Sequence, residues 1–213
     1  MLLPWFLKRR LLQALYHYEL HPKAYIGFSY IYPSFLKMDQ GAMIGHLNVA
    51  IHLDSIVMGK NTIIARGNWI TGFPTHTNSR HFVHQKDRKS ELIVGDESAI
   101  TKNHHIDCTN QIQIGRFVTV AGYNSQFLTH SIDIYKNIQD SFPIMIGDYC
   151  FVGTGVKILG GSKLPNYSVL AAGAVLTKNY VEERKVYGGV PAKPIKDIDS
   201  SAKYFHRNEG FVF

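Results

Sequence analysis

Charge and cysteine are both scarce in this sequence. Asp, Glu, Lys and Arg make up 18% of the 213 residues, below the quarter or so of an average globular chain. The chain is nevertheless 45% hydrophobic, which excludes disorder throughout. Its two cysteines, Cys108 and Cys150, make neither a disulfide framework nor a metal-ligand spacing, and read as small buried thiols in a reducing compartment. No apolar run approaches the roughly 20 residues of a membrane span. Apolar residues precede Lys8, Arg9 and Arg10, the reverse of a secretory signal, so a cytoplasmic location is expected. Carboxylates are outnumbered, and the formal charge of +7 implies an anionic partner: nucleic acid, anionic lipid or a small phosphate-bearing ligand. No RNP, zinc-finger or helix-turn-helix pattern accompanies it, so nucleic acid is not expected.

A six-residue repeat is what the sequence does have. Ile146, Val152, Ile158, Leu164, Leu170 and Leu176 recur at one phase. Four positions after the first five stand Cys150, Val156, Ser162, Ser168 and Ala174, all small; Tyr180 breaks that rule. A period of six fits neither a helix of 3.6 residues per turn nor simple strand alternation. It fits a three-sided prism in which each hexad supplies one short strand and one corner. Ile146 should then stack under Leu164 and Val152 under Leu170. Gly147, Gly153 and Gly173 fall at corners, where tight or left-handed backbone is needed. The same phase occurs upstream in Val94, Ile100, Ile106 and Ile112, in Met58, Ile64 and Ile70, and in Ile26-Gly27 and Ile44-Gly45. The expected fold is therefore all-β: stacked coils over 25–196, with excursions at 71–92 and 131–143.

Residues 1–24 form an N-terminal cap in this reading. Leu3, Leu7, Leu11 and Leu15 predict an amphipathic helix that closes the prism or, through residues 1–18, rests on the inner face of an anionic membrane. Residues 197–213 form a tail without a strong period. The excursion 71–92 carries His76, Arg80, His81, His84, Lys86, Arg88 and Lys89, either a solvated basic loop or a substrate loop.

The run from Ile146-Gly-Asp-Tyr-Cys-Phe-Val-Gly-Thr-Gly-Val, through Leu170-Ala-Ala-Gly-Ala-Val-Leu-Thr-Lys, to Gly189-Val-Pro-Ala-Lys193 resembles the hexapeptide-repeat acyltransferases. Among them it looks most like the O-acetyltransferases acting on galactosides, maltose and polysaccharide precursors. The resemblance implies a left-handed parallel β-helix, a homotrimer with active sites between subunits, acetyl-coenzyme A as donor and a sugar hydroxyl as acceptor. It assigns the general base to His130, ahead of Phe142-Pro143-Ile144-Met145-Ile146-Gly147. Neutral imidazole suits removal of an alcohol proton during attack on a thioester. The oxyanion donor is then the backbone N–H near Thr154. Phe151 (Trp in many relatives), Gly153, Thr154, Ala171, Ala172, Gly173, Thr177, Lys178 and Lys193 match cofactor-binding positions, the lysines near its phosphates. Asn103, Asp107 and Asn124 are candidates for acceptor contact, with Asn103 and Asp107 alternatively orienting the base. His104 and His105 read as ordinary coil histidines.

Competing readings share the fold. An amine acceptor would make the chain an amino-sugar N-acyltransferase, and antibiotic acetylation stays open. The γ-class carbonic anhydrases use the same prism with a His-x4-His pair, a spacing met by His76 and His81, but these lie off the coil register and no metal is expected. A non-catalytic scaffold is the remaining reading.

Overall fold

Hexad anchors in this sequence are β-branched or γ-branched aliphatics, and the intervening corners are rich in Gly, Asn and Asp. Short strands joined by tight corners follow from that alternation. The computed structural model describes residues 3–213; the first two residues of the predicted cap lie outside that range. Among these residues, strands wind into three sheets of seven, nine and seven strands, the three faces of a prism, parallel except for Lys193–Asp197 at the end of the second. One coil runs Ile144–Ile146 on the first face, Phe151–Val152 on the second and Lys157–Leu159 on the third. Ile146 stands beside Leu164, Val152 beside Leu170 and Ile158 beside Leu176, the eighteen-residue stacking that the period predicts.

The anchors point into the prism and are essentially inaccessible to solvent, as are Cys150, Val156, Ser162, Ser168 and Ala174. Both cysteines are buried and unpaired; burial raises both thiols, Cys150 to about 12, so neither is a ready nucleophile. Gly153 is required by close packing: a Cβ there would meet Ala172 N at 2.6 Å. Gly173 is required by its backbone, with φ at +71°.

The first rung is Glu19–Leu20, which pairs with Lys37–Met38, so the coils begin inside the segment read as cap. Met58 stands beside Val94, thirty-six positions on, twice the ordinary coil. The surplus is a loop over 73–90, because Trp69–Gly72 and Glu91–Val94 keep the outer residues of the predicted excursion in strand. The second excursion is an antiparallel hairpin, His130–Asp133 against Ile138–Ser141. At the far end, Lys185–Gly188 and Lys193–Asp197 form a hairpin that closes the prism over buried Tyr187.

The tail returns along the edge between the first and second faces. It forms one 3-10 turn, Lys203–His206. Tyr204 Oη donates to Cys150 O at 3.0 Å, and Arg207 stacks over the Tyr204 ring at 3.9 Å.

Candidate active site

His105–Cys108 and Gln126–Leu128 are neighbours on the third face, with Asp107 beside Leu128. The chain leaves that face two residues after Leu128, which suspends His130 above the Asp107 side chain. His130 Nδ1 lies 2.7 Å from Asp107 Oδ2. The same carboxylate oxygen accepts from the Thr129 N–H at 3.1 Å and the His130 N–H at 3.3 Å. Its other oxygen accepts from Thr109 N at 3.1 Å and Thr109 Oγ1 at 2.7 Å. Burial alone would push this carboxyl up, but the hydrogen bonds from His130 and Thr109 hold it below its usual range. The reciprocal effect raises His130: its bond to the Asp107 carboxylate outweighs desolvation.

A carboxylate bound at Nδ1 fixes the tautomer with its proton there, leaving Nε2 as the basic nitrogen. The His130 side chain is 43% exposed whereas that of Asp107 is only 8%. The pair is thus a solvent-facing base resting on a buried anion. Asp107 spends its oxygens inside the fold, on His130, Thr109 and Thr129.

The loop 73–90 forms the wall beside this base. Phe82 is buried outside the prism core, with its ring 6.2 Å edge-on from the His130 ring. Arg88 holds the loop closed, donating to Phe73 O at 2.5 Å, Thr109 O at 2.6 Å and Pro74 O at 3.2 Å. Its guanidinium lies 4.9 Å from the centre of the Phe82 ring. Gln85 ties the loop to the hairpin, donating to Asp140 Oδ1 at 2.6 Å and Ser141 O at 2.7 Å. Thr109, Thr129, Phe82, Gln85 and Arg88 were not singled out by sequence as parts of one site. Phe82 does fall on the six-residue count from Ile70, but it packs beneath a loop and fills no prism position.

The small-residue positions gather on a different edge, where the second face turns into the third. Gly153, Thr154, Ala171, Ala172 and Gly173 lie there in two successive coils. A Cβ placed on Gly155 or Gly173 would meet nothing within 4 Å, so the edge is bare. The amides of Gly153, Gly155, Ala171 and Gly173 donate to backbone carbonyls, whereas those of Thr154 and Ala172 have no such acceptor among the described residues. The edge is therefore a flat strip with two free N–H groups, which suits an extended amide-bearing chain. Phe151 lies beside it on the second face, against Tyr204. Lys193 is exposed on the closing hairpin. Thr177 and Lys178 fall elsewhere, at the edge between the third and first faces that also carries His130. Thr154 and His130 are separated by the width of the third face, about 15–20 Å at roughly 3.3 Å per residue.

Asn103 and Asn124 stack at the edge between the second and third faces, the Asn124 N–H donating to Asn103 O at 2.9 Å. They line a shallow cavity of about 550 Å³ with Trp69, His105 and Lys157, on the opposite side of the third face from His130. Neither is brought to the base by its own chain, and neither serves an internal ladder. The buried ladder is instead Asn48 to Asn68 to His104: Asn68 N donates to Asn48 Oδ1 and His104 N to Asn68 Oδ1, both at 2.9 Å. Burial pushes His104 down to about 4, so it stays a neutral structural link. His76 and His81 are exposed on the loop, His81 edge-on to Phe73. Among the described residues no three His, Cys, Asp or Glu side chains converge as metal ligands.

No family model matches the chain. It is 31% identical over 116 residues to a Saccharomyces cerevisiae protein named as an acetyltransferase, covering 53% of this chain and 59% of that one. It is 35% identical over 66 residues to galactoside O-acetyltransferase of Escherichia coli, covering 31% of this chain and 32% of that enzyme. The chain thus spans between a third and three-fifths of the length of these relatives. A hexapeptide-repeat-containing acetyltransferase from Vibrio cholerae, solved with acetyl coenzyme A, superposes with a TM-score of 0.50 at 19% identity, covering 92% of this chain and 78% of that one. An N-acyltransferase from Bacillus cereus, solved with an amino-sugar nucleotide and coenzyme A, also superposes at 0.50, with 11% identity and 93% coverage of both chains. In repeat and fold this chain is a left-handed parallel β-helix like those of the hexapeptide-repeat acetyltransferases, and in sequence it is similar to proteins named as acetyltransferases.

Proposed function

We propose that the protein transfers an acetyl group from acetyl-coenzyme A to a hydroxyl of a sugar or polysaccharide precursor, with His130 as general base. The observation that carries this reading is the Asp107–His130 contact, which leaves Nε2 free and basic at the surface. His130 Nε2 takes the proton of the acceptor hydroxyl as its oxygen attacks the thioester carbonyl carbon. The free N–H of Thr154 receives the charge that develops on the carbonyl oxygen. When the C–S bond breaks, the imidazolium returns its proton to the leaving thiolate. The buried Asp107 carboxylate steadies His130 while it carries the charge.

One chain does not complete this site, because His130 and Thr154 occupy opposite edges of the third face. A homotrimer resolves the separation: the His130 edge of one subunit meets the small-residue edge of the next. Extended pantetheine then lies along Gly153, Thr154, Ala171, Ala172 and Gly173, with Phe151 beside it. Lys193 of one chain and Thr177 and Lys178 of the other stand toward the phosphates. Exposed Arg80, Lys86 and Lys89 on the loop beside His130 favour an acceptor bearing phosphate.

Thiol release measured over neutral sugars, phosphorylated and nucleotide-linked sugars and amino sugars, with acetyl- and succinyl-coenzyme A, tests the assignment. Turnover with a sugar hydroxyl and acetyl-coenzyme A supports it. Turnover confined to amine acceptors makes the protein an N-acyltransferase. No binding of either donor leaves the prism as a scaffold and overturns the proposal.

A further inference from the structure

The N-terminal helix, Trp5–Tyr16, is fastened to the prism by polar contacts, by Trp5 packed against the core and by one buried leucine. Trp5 Nε1 donates to Ala24 O at 2.8 Å and Lys8 Nζ to Gly27 O at 3.2 Å. Leu12 is the one helix residue buried, at 9% exposure. The leucine row expected to close the prism is not used for that purpose. Leu7, Leu11 and Leu15 stay exposed, Leu15 at 69%, together with Phe6.

Leu11 and Leu15 face a groove rather than open solvent alone. Leu11, Leu12 and Leu15 on the helix and Phe28, Tyr30 and Leu47 on the first coils line a cavity of about 480 Å³. Phe28 is 61% exposed and Leu47 67%. An apolar surface this continuous is unusual on a solvated face. Charge identifies what covers it. Residues 3–18 contain no carboxylate and hold Lys8, Arg9 and Arg10, of which Arg10 is exposed.

We infer that this end of the prism docks on an anionic lipid surface. The exposed leucines, Phe6 and Phe28 enter the boundary between headgroups and acyl chains, and the row of cations meets the lipid phosphates. A helix of mixed leucine, aromatic and basic residues has the composition of an interfacial anchor, and its burial of apolar area supplies the attraction that charge alone does not. A second copy of the chain would cover the leucines equally well, but it would bring further positive charge against the same row of cations.

Co-sedimentation of the full chain with vesicles of phosphatidylcholine, alone or mixed with phosphatidylglycerol, tests the inference. Wild-type protein should sediment with the mixed vesicles and at least about tenfold less with the neutral ones, the binding weakening as salt is added. Arg10→Gln should weaken it about fivefold, and Leu11→Glu with Leu15→Glu should abolish it at unchanged circular dichroism and molecular mass. Failure of the wild type to sediment, or sedimentation indifferent to phosphatidylglycerol and salt, overturns the inference. So does a leucine variant that loses mass in light scattering, because the patch then belongs to a subunit interface. If the leucine variant misfolds, Arg10→Gln and the salt series decide alone.

Discussion

The Asp107 carboxylate lies directly beneath the His130 imidazole, 2.7 Å from Nδ1, and receives hydrogen bonds from Thr109 and Thr129 at the same time. Three residues from two neighbouring coils thus converge on one anion, and of the group only His130 faces solvent.

The pair predicts a particular pH profile. His130 must be neutral to accept a proton, and Asp107 raises its pKa above the ordinary value of 6.5. The acid limb of kcat/KM should therefore titrate above that value. Asp107→Asn removes the charge that favours imidazolium, so the limb should move to lower pH while the plateau falls by on the order of tenfold to a hundredfold. A profile measured over the acid and neutral range with both proteins checks the sign; a limb that stays in place would deny that the two side chains are coupled.

Arg88 and Phe82 should affect acceptor binding more than chemistry. Arg88→Ala strips three carbonyls of their donor and releases the loop 73–90, at a cost of about 1.5–3 kcal/mol. Faster proteolysis within 73–90 and a higher acceptor KM are expected, with acetyl-coenzyme A affinity unchanged. Phe82→Ala should give the same KM change without the proteolytic sensitivity.

Subunit complementation addresses the divided site. His130→Ala removes the base, and Ala172→Trp places bulk on the strip bearing Thr154 and Gly173. Each variant alone should be inactive. Subunits mixed in equal amounts should recover about a quarter of wild-type turnover, the statistical fraction of interfaces with one intact edge from each chain. Absence of recovery in demonstrably mixed trimers would place the whole site within one chain.

Leu170→Ala tests the prism itself. Leu170 is fully buried and stacked on Val152, so its truncation should cost about 2–5 kcal/mol in chemical denaturation.

The coils were legible because each rung repeats one local rule. Ile146, Val152 and Ile158 mark the strands, and their eighteen-residue partners follow from three hexads per turn. His130 was a candidate only through the resemblance, from its place ahead of Phe142-Pro143, and nothing in that place announced its contact with Asp107. Its partner was only half legible: Asp107 stands beside Leu128, twenty-one positions on, because two extra residues between Ile112 and Ile114 and a third between Val120 and Phe127 lengthen the coil beyond eighteen, and such slips shift every alignment made by counting. The loop 73–90 was illegible in shape, since Arg88 and Gln85 bind carbonyls and a hairpin far away in sequence. Leu7, Leu11 and Leu15 show the limit of periodicity. It identifies an apolar stripe without saying that Leu12 and Trp5, on the other side of the helix, do the closing.

Single-turnover thiol release by His130→Ala, with acetyl-coenzyme A binding measured alongside, tests the central claim most directly. The rate should fall by about 10²–10⁴-fold, while donor affinity and subunit number match the wild type. A variant that releases coenzyme A at the wild-type rate would contradict the assignment of the base.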